Sequence, residues 1–182
     1  MNDRSVVETA VVSGSRLPQL IALAGEESSD KRRLLLRELT NHFFGAPEHS
    51  PNETALYGAV LAKLSDEMEE AVRAELAARF ATAPNAPHSL IRRLAGDALE
   101  VAEPVLRGST VLTDDDLIRV VRQRGQGHLR AVSGRAVVPE AVSDIIVERG
   151  DDDTLGALLR NDGARLSVSY THLRAHETDS YL

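Results

Sequence analysis

The chain has 182 residues, of which 42% are hydrophobic and 27% are charged, a composition typical of a globular protein with one or two small domains. Because it contains no cysteine, disulfide bonds, thiolate metal sites and cysteine nucleophiles are excluded. Its net charge of -7 argues against general affinity for nucleic acid or anionic membranes, and no apolar run approaches the roughly 20 residues of a membrane-spanning helix.

The composition and the first half of the chain predict an all-α protein. Aromatic residues make up only 3% of the chain, and strong helix formers such as Ala, Leu, Arg and Glu are abundant. Residues 1–16 show no clear period and are predicted to form a mobile N-terminal arm. Residues 17–82 predict an N-terminal helical segment without an obvious repeat, which opens with a short helix from Pro18 to Ala24.

Three further helices are predicted in the remainder of this segment. Side chains that can accept hydrogen bonds from a first helical turn are expected to cap them at Asp30, at Asn52 and at Ser65 or Asp66. Apolar residues at helical spacing predict three buried faces: Leu34, Leu35, Leu39 and Phe43; Leu56, Val60 and Leu61; and Met68, Val72, Leu76 and Phe80.

A regular spacing of 26 residues begins after the segment APNAP, residues 83–87, whose two prolines disfavour a continuous helix. Pro87, Thr113 and Pro139 each open a helix, and a second helical pattern follows each of them. A period of this length indicates stacked supersecondary units that bury their apolar faces against one another. We therefore expect residues 83–167 to form three repeats, each an antiparallel helix pair.

Each predicted pair has its own apolar face. The predicted faces are Leu90, Ile91, Leu94, Val101, Ala102, Val105 and Leu106 in the first pair; Leu117, Ile118, Val120 and Val121 in the second; and Val142, Ile145, Ile146, Leu155, Leu158 and Leu159 in the third. The aspartate runs 114–116 and 151–153 stand in first helical turns, where the helix dipole stabilises carboxylates, and we do not interpret them as metal ligands. Residues 125–127, Gly-Gln-Gly, are predicted to form a turn between helices.

Three strings in this half of the chain carry a family resemblance: GDALEVAEPVLRGSTVLTDDDLIRVV, VVPEAVSDIIVERGD and LLRNDGARLS. They resemble the bacterial family called domain of unknown function 2336, which is found largely in alphaproteobacteria, and the resemblance runs from about Arg33 to Ser167. It implies HEAT-like repeats, so that the helix pairs would stack as a short HEAT-like α-solenoid. The family has no assigned activity, so the resemblance implies no catalytic residue.

The last residues differ from the rest of the chain. The string SVSYTHLRAHETDSYL resembles the translated read-through of a sequencing adaptor, so residues 168–182 are predicted to be a non-native tail. The tail begins where a fourth pair is expected, which predicts that the chain is a fragment of a longer array. Within it His172 and His176 lie four residues apart beside Glu177, as ligands of a zinc site on one helix face do. Because no third ligand is evident, we expect no metal and no cofactor.

Arginines are concentrated in the repeats. Residues 87–135 contain eight arginines against six acidic residues, a local net charge of +2 in a chain whose total is -7. Arg92, Arg93, Arg119 and Arg122 occupy comparable places in two successive repeats and form the candidate interaction surface. A solvated helix face explains them most simply, and a basic groove is the alternative.

Two functions remain open. Stacked helices present an extended surface to other molecules, so a protein-protein interaction scaffold is the first hypothesis. Nucleic-acid binding through the arginine-rich face is the alternative, which the acidic total disfavours and the local arginine excess favours. We find no set of catalytic residues, and we expect a cytoplasmic protein that is not an enzyme.

Overall fold

The computed structural model describes residues 29–46 and 48–167, and within those residues it consists of nine α-helices and their connections. The chain divides into two compact units, Met1–Met68 and Glu69–Leu182. The helices are α1 Ser29–Gly45, α2 Pro51–Asp66, α3 Glu70–Phe80, α4 His88–Ala95, α5 Leu99–Gly108, α6 Asp114–Gln123, α7 Gln126–Ser133, α8 Glu140–Arg149 and α9 Asp152–Leu159. The all-α prediction is confirmed for these residues. The predicted arm, the predicted helix at 18–24 and the predicted tail lie outside them.

In the first unit α1 packs against α2. The buried side chains recur at helical spacing and are Leu35, Leu36, Leu39, Phe43, Tyr57, Leu61 and Leu64. Two residues that the sequence assigned to these faces are exposed, Leu34 at 58% and Leu56 at 40%. Each is one residue before a buried position, and one residue is a rotation of about 100° on a helix, so both side chains point away from the core.

The N-terminus of α2 shows why the predicted cap at Asn52 is wrong. Ser50 is the cap, because its Oγ accepts a hydrogen bond from the Glu53 backbone N-H at 3.3 Å while the Glu53 carboxylate accepts from the Ser50 N-H at 2.9 Å. Pro51 occupies the first helical position, where its missing N-H costs nothing. Ser-Pro-x-Glu is a capping box preceding a helix, and this local signal was available in the sequence.

The next helix also begins elsewhere than predicted. Helix α2 continues through Asp66, and Ser65 does not cap a helix, because its Oγ donates to the Ala62 carbonyl at 2.7 Å within α2. Helix α3 begins at Glu70 and packs against α4 and α5. The second compact unit therefore begins at Glu69, ahead of the APNAP segment at which the sequence places its boundary.

The 26-residue spacing coincides with the helix starts that it predicts. Pro87, Thr113 and Pro139 are the N-caps of α4, α6 and α8. Helix α4 contacts α5, α6 contacts α7, and α8 contacts α9, which gives three helix pairs. The second helices of successive pairs contact one another in the order α5, α7, α9, and α6 contacts α8.

Most predicted core residues of the three pairs are buried. Those at 2% exposure or less are Leu90, Ile91, Leu94, Val101, Ala102, Val105, Leu106, Leu117, Val121, Val142, Ile146 and Leu158. Ile118, Ile145, Leu155 and Leu159 are only half-buried. Beside Ile145, Ser143 is fully buried, so the inner face of α8 runs through Val142, Ser143 and Ile146.

Two glycines lie close to neighbouring parts of the fold. The predicted turn at 125–127 is shorter than expected, because Gly125 is the N-cap of α7 and the helix already includes Gln126 and Gly127. A Cβ at Gly127 would lie 2.4 Å from Leu99 Cδ2, so a side chain there would require the Leu99 side chain to move. After α9, Gly163 lies against the Ala136 carbonyl, next to an isolated parallel β-bridge that joins residues 138 and 164.

Candidate functional site

The four predicted interaction residues lie on the first helices of two successive pairs. Arg92 and Arg93 are in the last turn of α4, and Arg119 and Arg122 are on α6; all four are exposed. We call these four residues the arginine face. The structure brings two of them together, because Arg92 and Arg119 line one cleft, whereas the residues that line it do not include Arg93 or Arg122.

This cleft, which we call the α4–α6 cleft, contains a third arginine that the sequence did not single out. It has a volume of about 50 Å³ and is lined by Arg92, Ala95, Gly96, Asp116, Arg119, Val120, Gln123 and Arg124. Arg124 is the C-cap residue of α6 and directly precedes Gly125. The recurrence of Arg-Gly at 124–125 and 149–150 was the available signal, since arginines at such a point can reach a neighbouring helix end.

Helices α4 and α6 lie side by side in the same direction. At their N-termini His88 Nε2 is 2.6 Å from Asp116 Oδ2. At their C-termini Arg124 reaches Gly96, where a Cβ added to the glycine would lie 3.4 Å from Arg124 Nη2. Between these two points the cleft is lined by Arg92 from α4 and by Arg119 from α6.

Asp116 is the acidic residue of the cleft, and its carboxylate is already engaged. Its Oδ2 accepts hydrogen bonds from the Thr113 N-H at 3.1 Å and the Thr113 hydroxyl at 2.7 Å, and it also contacts His88. Its Oδ1 lies 3.4 Å from Arg119 Nη1. Burial alone would raise the pKa of Asp116, but the hydrogen bonds from His88 and Thr113 outweigh burial and lower it. The carboxylate therefore stays ionised and forms part of the capping box at the N-terminus of α6.

Other arginines of the second unit are held by internal acceptors. Arg73 makes a two-pronged ion pair with Asp97, with Nε 2.7 Å from Oδ2 and Nη2 2.9 Å from Oδ1. Arg135 donates to backbone carbonyls at the end of α5, and Arg149 does so at the end of α6. These three guanidinium groups stabilise the fold and are committed to it.

Arg92 and Arg124 differ from that group. Within residues 29–46 and 48–167 their side chains make no hydrogen bond and no ion pair. The lining of the α4–α6 cleft, three arginines and one aspartate, therefore has a net charge of +2. Guanidinium groups bind oxyanions through parallel N-H donors, so the cleft is suited to a phosphate or carboxylate group.

The first unit contains a separate aromatic cluster. His49 stacks on Phe43 with ring centroids 4.6 Å apart, and its Nε2 lies 2.8 Å from the Phe43 carbonyl near the end of α1. His42 Nδ1 is in hydrogen-bond contact with Tyr57 Oη, and burial raises the pKa of Tyr57. These contacts connect α1, α2 and the loop between them, so the cluster has a structural role.

In residues 29–46 and 48–167, no group of three or more histidines and carboxylates could hold a metal ion, and no helix is long and apolar enough to cross a membrane. The pair His172 and His176 lies outside the described residues. Nothing tests the expectation that the chain has no catalytic residues, and it stays a prediction.

Fold and site together define an all-α protein of consecutive helix pairs whose first helices carry an exposed, arginine-lined cleft. Residues 101–176 match the sequence model of the family described as "Uncharacterised protein conserved in bacteria (DUF2336)". This is the family that the sequence strings resemble, and the match covers residues 101–176 of the chain. No curated protein and no solved structure matches the chain. The match continues past Ser167, and the interpretation of residues 168–182 as a non-native tail stays a prediction.

Proposed function

We propose that the second unit is a short HEAT-like α-solenoid that serves as a scaffold for binding another protein. The contacts of α5 with α7 and of α7 with α9 support the stacking, as does the contact of α6 with α8, because in a solenoid each repeat packs on its neighbours. The proposed binding surface is the arginine face together with the α4–α6 cleft. A partner with an acidic surface segment is complementary to it in charge.

One observation carries this proposal. Arg73, Arg135 and Arg149 are held by internal carboxylate or carbonyl groups, whereas Arg92 and Arg124 have no such acceptor within the described residues. Clustered like charges repel one another, and Arg92 and Arg124 have no side-chain hydrogen bond or ion pair within the described residues that offsets this repulsion. We infer that they are placed for binding.

Site-directed cross-linking tests the scaffold. A photo-activated amino acid at Arg122, in the native bacterium, should capture a protein that the same amino acid at Glu148 does not capture. The purified partner should then bind the full chain, and Arg119→Ala combined with Arg122→Ala should weaken binding about tenfold or more, since each lost charge contact is worth about 1 kcal/mol. Arg165→Ala removes an equal charge from an exposed position in the same unit and should change the affinity less than about twofold. Equal binding by the double variant would contradict the proposal.

Nucleic acid is the second candidate for the same surface, because exposed arginines spaced along successive helices can contact successive phosphates. Binding of duplex DNA at about 150 mM salt, with a salt slope that falls by about 1 for each of Arg119→Ala and Arg122→Ala, would establish this function in place of the scaffold. Absence of binding at low salt would eliminate it.

We further propose that the chain is not an enzyme and that it lies in the cytoplasm.

A further inference from the structure

The geometry points to a specific ligand group for the α4–α6 cleft. We propose that Arg92, Arg119 and Arg124 bind the phosphoryl group of a phosphorylated side chain on the partner protein. The claim that a partner protein carries this phosphoryl group rests on the proposed function. The claim that the cleft binds an anion does not. Three features of the cleft lead to this assignment: its charge, its size and the state of its arginines.

Charge distinguishes a phosphate monoester from other anions. The three arginines and Asp116 give the lining a net charge of +2. A phosphorylated side chain carries about -1.5 to -2 at neutral pH and balances this charge, whereas a carboxylate or a nucleic-acid phosphodiester carries only -1. Asp116 does not repel the ligand strongly, because its carboxylate is buried and compensated by His88, Thr113 and Arg119.

The size of the cleft fits one small group. Its volume of about 50 Å³ has room for a group of a few atoms, because one water molecule needs about 10 to 15 Å³ of such space. Ala95, Gly96 and Val120 supply the apolar part of the lining between the arginines. The Arg124 guanidinium lies against Gly96, where a Cβ added to the glycine would be 3.4 Å from Nη2, within ordinary contact distance.

The arginines are available and come from two helix pairs. Arg92 belongs to α4, whereas Arg119 lies on α6 and Arg124 directly follows that helix. Arg92 and Arg124 have no internal acceptor in the described residues, and Arg119 has only the 3.4 Å contact with Asp116. A tetrahedral phosphoryl group presents three oxygens, and each can accept a hydrogen bond from a different guanidinium group.

Calorimetric titration of the full chain tests the site. A short peptide with one phosphoserine should bind, the same peptide with serine should not, and the peptide with glutamate should bind at least about tenfold more weakly. Inorganic phosphate at constant ionic strength should compete with the phosphopeptide. Arg92→Gln and Arg124→Gln should each reduce phosphopeptide affinity about tenfold or more, as expected for loss of a charge-assisted contact. Arg124→Lys keeps the charge but loses the planar fork, and it should lie between Arg124→Gln and the original protein.

Arg165→Gln is the matched control, because it removes the same charge from an exposed position of the same unit that lies outside both the arginine face and the cleft, and it should change the affinity less than about twofold. Circular dichroism of each variant checks that it is folded. If Arg165→Gln weakens binding as much as Arg92→Gln does, or if the glutamate peptide binds equally well, the surface is merely basic and the phosphoryl site is refuted. Stronger competition by duplex DNA than by inorganic phosphate would refute it in favour of nucleic acid.

The two proposals can fail separately. A cross-linked partner that binds equally well after phosphatase treatment would refute the phosphoryl site and leave the scaffold intact. Phosphopeptide binding that requires Arg92 and Arg124, without any partner captured at Arg122, would uphold the site and refute the scaffold.

Discussion

Arg135 and Asn161, 26 residues apart, make equivalent contacts in successive helix pairs. Arg135 donates to the carbonyls of Leu106 and Ser109 at the end of α5, and Asn161 donates to those of Ser133 and Arg135 at the end of α7. The last carbonyls of a helix have no partner within it. Each pair therefore completes the hydrogen bonding of the pair before it, and this holds the second helices in register.

Arg135 should contribute strongly to stability. Arg135→Met keeps the apolar part of the side chain but leaves the carbonyls of two buried residues, Leu106 and Ser109, without their donor, so we expect a loss of about 1.5 to 3 kcal/mol in the free energy of unfolding. Urea denaturation followed by circular dichroism measures this loss. Arg107→Met is the control, because the Arg107 ion pair with Glu103 is about half exposed and should contribute less than about 1 kcal/mol. Equal effects of the two changes would mean that the inter-pair bonds are unimportant.

Gly163 should tolerate no side chain. Gly163→Ala would place a Cβ 1.9 Å from the Ala136 carbonyl oxygen, and backbone hydrogen bonds between Val138 and the 163–165 segment oppose any shift. We expect a loss of about 1 to 3 kcal/mol, as for other overpacked sites. At Gly45 a Cβ meets nothing within 4 Å, so Gly45→Ala should cause no loss. Thermal unfolding of both variants makes the comparison, and an unchanged melting temperature for Gly163→Ala would contradict the packing described.

On α8, Ile146 should contribute more to the free energy of unfolding than Ile145. Ile146 is fully buried, and Ile146→Ala should cost about 2 to 5 kcal/mol because it leaves a cavity where α8 packs on α6 and α9. Ile145 is half-buried, so Ile145→Ala should cost at most about half as much. Urea denaturation of the two variants tests the order, and a larger effect at Ile145 would show that α8 is rotated from the orientation described.

Asp116 should make stability depend on pH. Because its folded-state pKa is lowered, its ionised form stabilises the fold above about pH 4, and this contribution is lost as the pH falls through the lowered value. Asp116→Asn should therefore cost about 1.5 to 3 kcal/mol at pH 7 and progressively less below pH 4. Asp115→Asn changes an exposed carboxylate in the same turn and is the control, which should change stability at pH 7 by less than about 0.5 kcal/mol. Free energies of unfolding measured at several pH values test this prediction. A loss on Asp116→Asn that stays the same at every pH would disprove the linkage.

Much of the second unit could be predicted from sequence. Caps at Pro87, Thr113 and Pro139 and the core around Leu90 and Val101 follow from turn chemistry and apolar spacing, which are local properties. In the first unit the sequence offers two cap residues for α2. Asn52 and Ser50 are both good cap residues, and the capping box with Pro51 favours Ser50.

The sequence analysis identified two of the three arginines that line the candidate cleft. Arg92 and Arg119 could be chosen because they lie on predicted helices, away from the apolar stripe. The Arg-Gly recurrence marks Arg124, but it does not place Arg124 in the cleft, because the residue lies beyond the end of α6 and reaches Gly96 only when α4 and α6 lie side by side. Arg124 and Arg149 each directly precede a glycine, so the sequence could not show that carbonyl groups of the fold hold the Arg149 guanidinium and not that of Arg124.

Sequence alone predicts an all-α protein of helix pairs with a 26-residue period, because helix starts and apolar faces depend on residues a few positions apart. Which arginines stabilise the fold, and which are available to bind a ligand, depends on the tertiary packing. A guanidinium group such as that of Arg135 is committed when a carbonyl of the neighbouring pair lies within reach, and Arg92 has no such neighbour in the described part of the chain. That difference depends on distances between helices, which no local pattern encodes.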